Sequence, residues 1–326
     1  MLIGLDGATW TLLGPWARAG RLPHLGALMA RGAWGTLRAT VPALTLPSWS
    51  SFLTGKNPGG HGIFAFWRLA PGSYEPGGLA NASDLRSATL WDVLGRAGKT
   101  VGVINVPPSY PIRRVNGYVV SCMLTPPGEA FTEPPEVAAE LGPYVIDRKA
   151  PRGLRADPAT FLPRSLEYLE ALRDQEHLRV EATLRVMERR PTDVACVVFY
   201  APDRIQHNFW DEITGDGQQG PASASVREAA ATVYRTLDDA IGRLVAAAGP
   251  EATIILASDH GFAPKPARSV RINRWLADHG FLAQRSFWSL RRKVVRRLPR
   301  RSWRARYDTI DYIQLNRARS RAWSET

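Results

Sequence analysis

The chain has 326 residues, 44% of them hydrophobic and 22% charged. That composition excludes a disordered or collagen-like chain, and no stretch approaches the ~18–20 uninterrupted apolar residues of a membrane span. The formal net charge is +12, but residues 285–306 alone carry ten Lys/Arg and no acid, so the rest of the chain is close to neutral. Charge therefore marks one segment rather than a polyanion-binding body, which argues against nucleic acid as a partner. The N-terminus, MLIGLDGATW, has neither a basic region nor a small-residue cleavage site. Two cysteines, Cys122 and Cys196, cannot build a disulfide framework, so a reducing cytoplasm is the expected compartment.

In chain order, Leu2–Leu5 reads as a short strand. Helical patterns follow at 10–19 and 23–31, then at 45–54, where Pro47 suits a first turn and Gly55 a stop. A helical pattern at 87–97 leads into the β-branched run Thr100–Val106. Residues 106–155 are rich in Pro and Gly and read as an irregular excursion. A long helix is expected at 158–189, a strand at Val194–Tyr200, a helix at 223–247 and a strand at Thr253–Ala257. Short, continuously apolar strands alternating with helices predict an α/β fold with a mainly parallel sheet covered by helices on both faces. The whole chain, 1–326, reads as a single catalytic domain.

Three of these strands run into an aspartate: Asp6, Asp203 and Asp259. In an open α/β sheet the functional crevice lies outside the carboxyl ends of the strands, so the three acids are expected to converge. Unpaired carboxylates repel, and a cation among them resolves the repulsion. Asp203 and His207 stand four apart, on one face of a helical turn. Asp259 and His260 are adjacent. Mixed Asp/His ligation suits Zn²⁺, or Mn²⁺ where oxygen dominates. Taken singly, each acid also reads as a helix cap or an ordinary turn; the joint pattern carries the metal reading. Thr45 is placed at a helix N-terminus, where free N–H groups attract phosphate and a hydroxyl can serve as a nucleophile. A plain N-cap is the alternative there, and Ser48 is a second hydroxyl, one turn inside.

Four stretches, LIGLDGATW, TLPSWSSFLTGKNPGGHGIF, APDRIQHNFW and ASDHGF, occur in order between residues 2 and 265. Together they resemble the alkaline phosphatase superfamily, in its type I phosphodiesterase/nucleotide pyrophosphatase branch. The resemblance implies two divalent metal ions, zinc or manganese. Asp6, Asp259 and His260 would hold one, with Thr45 touching it as the covalent nucleophile, and Asp203 and His207 would hold the other. It further implies a metal-dependent phosphohydrolase acting on a phosphodiester or phosphomonoester through phospho-threonine. The substrate would be a small phosphate ester or a lipid head group. A phosphotransferase or mutase of the same superfamily shares this core, and an impaired remnant that binds anions or membranes is the non-enzymatic alternative. The Thr-Leu-Pro-Ser-Trp segment lacks a sulfatase signature.

Two departures from the family pattern stand out. A further histidine for the second metal is expected well downstream, and no histidine after His260 fits; His279 reads as a helix end. The chain is therefore expected to lack the C-terminal part of the domain or to have a weakened second site. Phe66 stands near the position where nucleotide-cleaving relatives have Asn, and His61 is expected to pack behind the site. Residues 285–306 form a basic amphipathic pattern broken at Pro299. It suits an anionic membrane surface, and hence a peripheral attachment, or a lid that steers anions, or plain packing of its apolar stripe, and least of all nucleic-acid phosphates bound without sequence specificity.

Overall fold

A computed structural model describes residues 1–70, 76–215, 220–264 and 271–282. The chain forms two compact units, Met1–Pro264 and Lys265–Thr326. In the second unit the described element is a helix, Ile272–Asp278, with His279 at its C-cap, as the sequence predicts. The basic segment 285–306 lies outside the described residues.

The first unit is built on a six-stranded sheet. In chain order its strands are β1 (Leu2–Leu5), β4 (Val101–Ile104), β5 (Gly117–Val120), β6 (Thr132–Glu133), β7 (Val194–Phe199) and β8 (Ile255–Ala257). A separate hairpin pairs β2 (Trp67–Leu69) with β3 (Pro76–Leu79). The spatial order is β6-β5-β4-β7-β1-β8, parallel except for β6. The predicted α/β architecture is therefore present; Leu2–Leu5 stands as read, and the other apolar runs are trimmed at one or both ends. Thr100–Val106 is cut to four residues because Asn105 turns into a positive φ of 58°.

The irregular excursion expected at 106–155 is the main difference. It contributes β5 and β6 to the principal sheet, together with a short helix. Its strands are only four and two residues long and lie among prolines, so no sustained alternation betrays them.

Helices cover both faces. They are α1 (Trp10–Arg18), α2 (Pro23–Arg31), α3 (Thr45–Thr54), α4 (Pro58–His61), α5 (Leu90–Arg96), α6 (Val137–Leu141), α7 (Pro158–Arg189), α8 (Ala201–Thr214) and α9 (Pro221–Ala248). Side chains alternate across the sheet. Ile3, Leu5, Ile104, Val197 and Phe199 join one core with residues of α1, α2, α7, α8 and α9. Leu2, Val101, Val103, Cys196 and Val198 join the other with Trp49 and Leu53 of α3 and Trp91 of α5. Gly4 leaves the space that the Trp49 ring fills; a Cβ there would stand 2.4 Å from Trp49 Cη2. Among the described residues, no helix is long and apolar enough to cross a membrane.

Candidate metal centre

The order β7-β1-β8 sets three parallel strands side by side, so their carboxyl ends open on one edge. Asp6 follows β1, Asp203 lies in the first turn of α8 directly after β7, and Asp259 follows β8. All three are buried. One ligand atom each from Asp6, Asp203 and His260 lies within 4.8 Å of the others. His260 Nε2 is 3.8 Å from Asp6 Oδ1, 3.4 Å from Asp259 Oδ2 and 3.3 Å from Thr45 Oγ1. His207 Nε2 is 3.3 Å from Asp203 Oδ1, as the four-residue spacing on a helix predicts. Unlike the acids it stands largely exposed, edge-on to Phe262. The structure thus brings all six sequence-predicted residues to one strand edge.

The polar atoms of this cluster are unequally satisfied. Asp6 Oδ2 accepts from the Trp49 indole at 3.1 Å, and Asp259 Oδ1 accepts from the Gly7 N–H at 3.0 Å. Asp203 Oδ2 accepts from Arg204 at 3.2 Å. The opposite oxygens, Asp6 Oδ1, Asp203 Oδ1 and Asp259 Oδ2, are buried and accept no hydrogen bond; each has only an ion-pair contact with an imidazole, His207 for Asp203 and His260 for the other two. A buried carboxylate oxygen that accepts no hydrogen bond costs free energy. Three of them beside imidazole nitrogens form an oxygen-rich donor set that fits a divalent cation. A cavity of about 1170 Å³ touches the cluster at His260 and is lined by none of Asp6, Thr45, Asp203, His207 or Asp259.

Proton affinities express the same tension. Burial pushes the Asp6 carboxyl well above its ordinary range, and the charges of Asp259 and Asp203 add to that, against His260 and the Trp49 indole. Burial likewise pushes Asp259 up to about 7, opposed by backbone N–H groups of Gly7, Asp259 and His260. Asp203 is desolvated too, but His207, Arg204 and His260 together outweigh burial and hold it below its ordinary value. The Asp203 carboxylate in turn raises His207.

Thr45 is the first residue of α3, buried, with its hydroxyl toward His260. Ser48 is turned away, its hydroxyl 2.7 Å from that of Thr40. His61 is fully buried; its Nδ1 accepts from the Ile63 N–H and its Nε2 meets the Ser51 hydroxyl at 3.0 Å. It packs as the sequence suggests.

Several site residues escaped the sequence reading. Trp49 is distant in sequence from the acid it serves, and Gly7 was read only as part of a motif. Gly7 has a φ of +67°, and a Cβ on it would stand 3.1 Å from Asp203 Cα and Cβ. Arg204 joins Asp203 to Asp147, which it grips with Nε at 3.3 Å and Nη2 at 2.8 Å. Asp147 lies in the supposed excursion, and nothing local marks it.

No curated protein matches this sequence. Among solved structures, phosphonoacetate hydrolase from Sinorhizobium meliloti 1021, in complex with phosphonoacetate, is similar with a TM-score of 0.53 at 17% identity. That match covers 85% of this chain and 61% of the hydrolase. Murine ectonucleotide pyrophosphatase/phosphodiesterase 5, an inactive form in complex with AMP, has a TM-score of 0.50 at 14% identity, over 87% of this chain and 62% of that one. The chain thus spans about three-fifths of the length of these neighbours, and at such identities the likeness speaks for the fold. The sequence itself matches one family from residue 1 to residue 322, across the strand edge where the acids meet. The chain belongs to the type I phosphodiesterase/nucleotide pyrophosphatase family.

Proposed function

We propose that this chain is a metal-dependent phosphohydrolase that cleaves a phosphodiester or phosphomonoester through Thr45. The observation that carries the proposal is the set of three buried carboxylate oxygens that accept no hydrogen bond and face the imidazoles of His260 and His207, with the Thr45 hydroxyl 3.3 Å from His260 Nε2. Asp6, Asp259 and His260, with Thr45, would hold one divalent cation; Asp203 and His207 would hold a second. Zinc fits the nitrogen ligands and manganese the oxygen-rich set. When bound, the cations supply Lewis-acid stabilisation of phosphoryl oxygens and lower the proton affinity of a hydroxyl.

The chain's own residues do the rest. Thr45 Oγ1 attacks phosphorus as its proton passes to solvent, and the alkoxide departs from the opposite side with the ester electron pair and takes a proton from water to leave as the alcohol. Water then cleaves the Thr45–phosphate bond, restoring the hydroxyl and releasing the phosphoryl product. The start of α3 would offer the transferred group the N–H groups of Thr45 and Leu46, since Pro47 has none and the Ser48 N–H donates to the Leu44 carbonyl at 2.9 Å. Trp49 and Gly7 hold one oxygen each of Asp6 and Asp259, which leaves the other oxygen of each free to face the cluster. The phosphonate and AMP bound by the structural neighbours support a small phosphoryl compound as substrate.

The deciding experiment is hydrolysis of p-nitrophenyl phosphate and bis-p-nitrophenyl phosphate by the full chain, with and without added Zn²⁺ or Mn²⁺. Metal-dependent turnover is expected, lowered at least about 1,000-fold in Thr45→Ala. Equal turnover in Thr45→Ala would overturn the assignment of the nucleophile. No turnover with either metal would overturn the hydrolase reading.

A further inference from the structure

Helix α8 carries Asp203 and His207, yet it begins without a cap of its own. Tyr200 stands at the N-cap position in an αR conformation and makes no side-chain capping bond, and Pro202 has no N–H to offer. The orphan donors at this end are met from another helix. Glu176, on α7 and fully buried, accepts the Tyr200 N–H at 3.1 Å and the Ala201 N–H at 2.8 Å on its Oε1.

The other carboxylate oxygen of Glu176 pairs with Arg179, which is also fully buried. Arg179 Nη2 donates to the Ile146 carbonyl at 2.6 Å. The next residue, Asp147, binds Arg204 of α8, and Arg204 Nη1 binds Asp203. The first turn of α8 is therefore gripped twice. Glu176 holds its backbone, and the 146–147 segment holds it through Arg204. Arg179 joins the two grips.

We propose that Glu176 is a positioning residue for Asp203 and His207. Its buried carboxylate fixes where the first turn of α8 stands, and so the spacing of these two side chains from Asp6 and His260. The inference rests on the two-cation reading above. Burial of an ion pair is weak support for stability, whereas outer partners that orient metal ligands typically set about 10- to 100-fold in metal affinity. Helix α2 gives the contrast. It too lacks a cap of its own, and Asp238 of α9 accepts its His24 and Leu25 N–H groups at 2.9 and 2.8 Å. That helix carries no residue of the cluster.

The test is calorimetric titration of the full metal-free chain with Zn²⁺, together with backbone hydrogen exchange over residues 199–207. Glu176→Leu/Arg179→Met removes the cap without stranding a buried charge. Glu176→Thr/Arg179→Met serves if leucine is not accommodated. Faster exchange at Tyr200 and Ala201 is expected, with the second equivalent of zinc weakened about 10- to 100-fold and the first unchanged. Glu176→Gln/Arg179→Met keeps an amide oxygen for the two N–H groups and should restore most of the second-site affinity. Asp238→Ala should lower the melting temperature and move neither equivalent. If the unmodified chain takes up no second equivalent, the two-cation reading fails first, and this inference falls with it. If it takes up two and the Leu/Met variant binds both as tightly, the positioning inference alone is overturned. Loss of both equivalents in proportion would also overturn it, because that is what general destabilisation produces.

Discussion

The two sides of the centre solve one problem, a buried carboxylate, in opposite ways. On the β1/β8 side, Asp6 and Asp259 face each other with no cationic side chain of their own but His260. Burial raises both. On the β7 side, Asp203 is desolvated as well, yet Arg204 and His207 flank it and it stays low. The first side is left strained for want of a cation, and the second is already neutralised by the chain. The difference implies that the Asp6–Asp259 side has the greater hunger for a metal ion, and that the Asp203 side must give up some compensation to take one.

The sharpest way to break that comparison is to remove one ligand from each side. Asp259→Asn keeps the acceptor for the Gly7 N–H and turns a donor toward the cluster. The first equivalent of metal should be lost, and turnover with it. The same variant should melt higher than the native chain when both are metal-free at pH 8, since a desolvated charge has gone. His207→Ala should leave the first equivalent in place and weaken the second by more than the roughly 100-fold ceiling of an outer-shell loss. Metal content by mass spectrometry and a titration read both. Unchanged metal content in Asp259→Asn would sink the first-site assignment.

Acidity gives a second, smaller contrast, because the carboxylates of the two sides titrate in separate windows. Asp6 and Asp259 are raised in the folded chain. Their contribution to stability is present below the ordinary carboxylate range near pH 4 and is lost as pH rises toward about 7, the value for Asp259. Asp203 is lowered, so its contribution is present above that range and is lost as pH falls through its folded value. The metal-free chain should therefore lose melting temperature between pH 4.5 and 8 through Asp6 and Asp259, and His207, raised by Asp203, adds to the loss at the upper end of that window. Saturating Zn²⁺ should flatten that slope, and Asp259→Asn should reduce it without metal. A metal-free profile already flat over this window would contradict the strained state of the first side.

How far this was legible in the sequence follows from where each interaction comes from. The strands β1, β7 and β8 are continuous apolar runs, each with its acid one to four residues beyond its end, so the convergence of Asp6, Asp203 and Asp259 could be read from local pattern and the geometry of parallel sheets. Thr45 was placed by Pro47 and Gly55, which are equally local. Asp147, Glu176 and Trp49 were not readable. Each acts on a residue 24 to 57 positions away, and Glu176 looks from its sequence like one more polar residue on a long helix. The strands β5 and β6 hid in a Pro-rich stretch, because a four-residue strand owes its existence to the β4 edge it joins rather than to its own periodicity.

The smallest effect tests the join between the two sides, which is Gly7. Its N–H holds Asp259 on one side, and its α-carbon faces Asp203 on the other. Gly7→Ala meets two obstacles there. The left-handed backbone costs an L-residue about 1–2 kcal/mol. The new methyl, 3.1 Å from Asp203 Cα and Cβ, must also push the first turn of α8 away from β1. Gly55 separates the two, since its φ is +63° and nothing lies within 4 Å of a Cβ built on it. Gly55→Ala should therefore show the backbone cost alone. If the two sides are set by the contact of Gly7 with α8, Gly7→Ala must lower the melting temperature more than Gly55→Ala. It should also weaken the second metal equivalent several-fold while the first, still bonded through the Gly7 N–H to Asp259, stays as tight. Equal losses in the two variants, with both equivalents intact, would mean that α8 tolerates the displacement and that the spacing between the two sides is not fixed at this point.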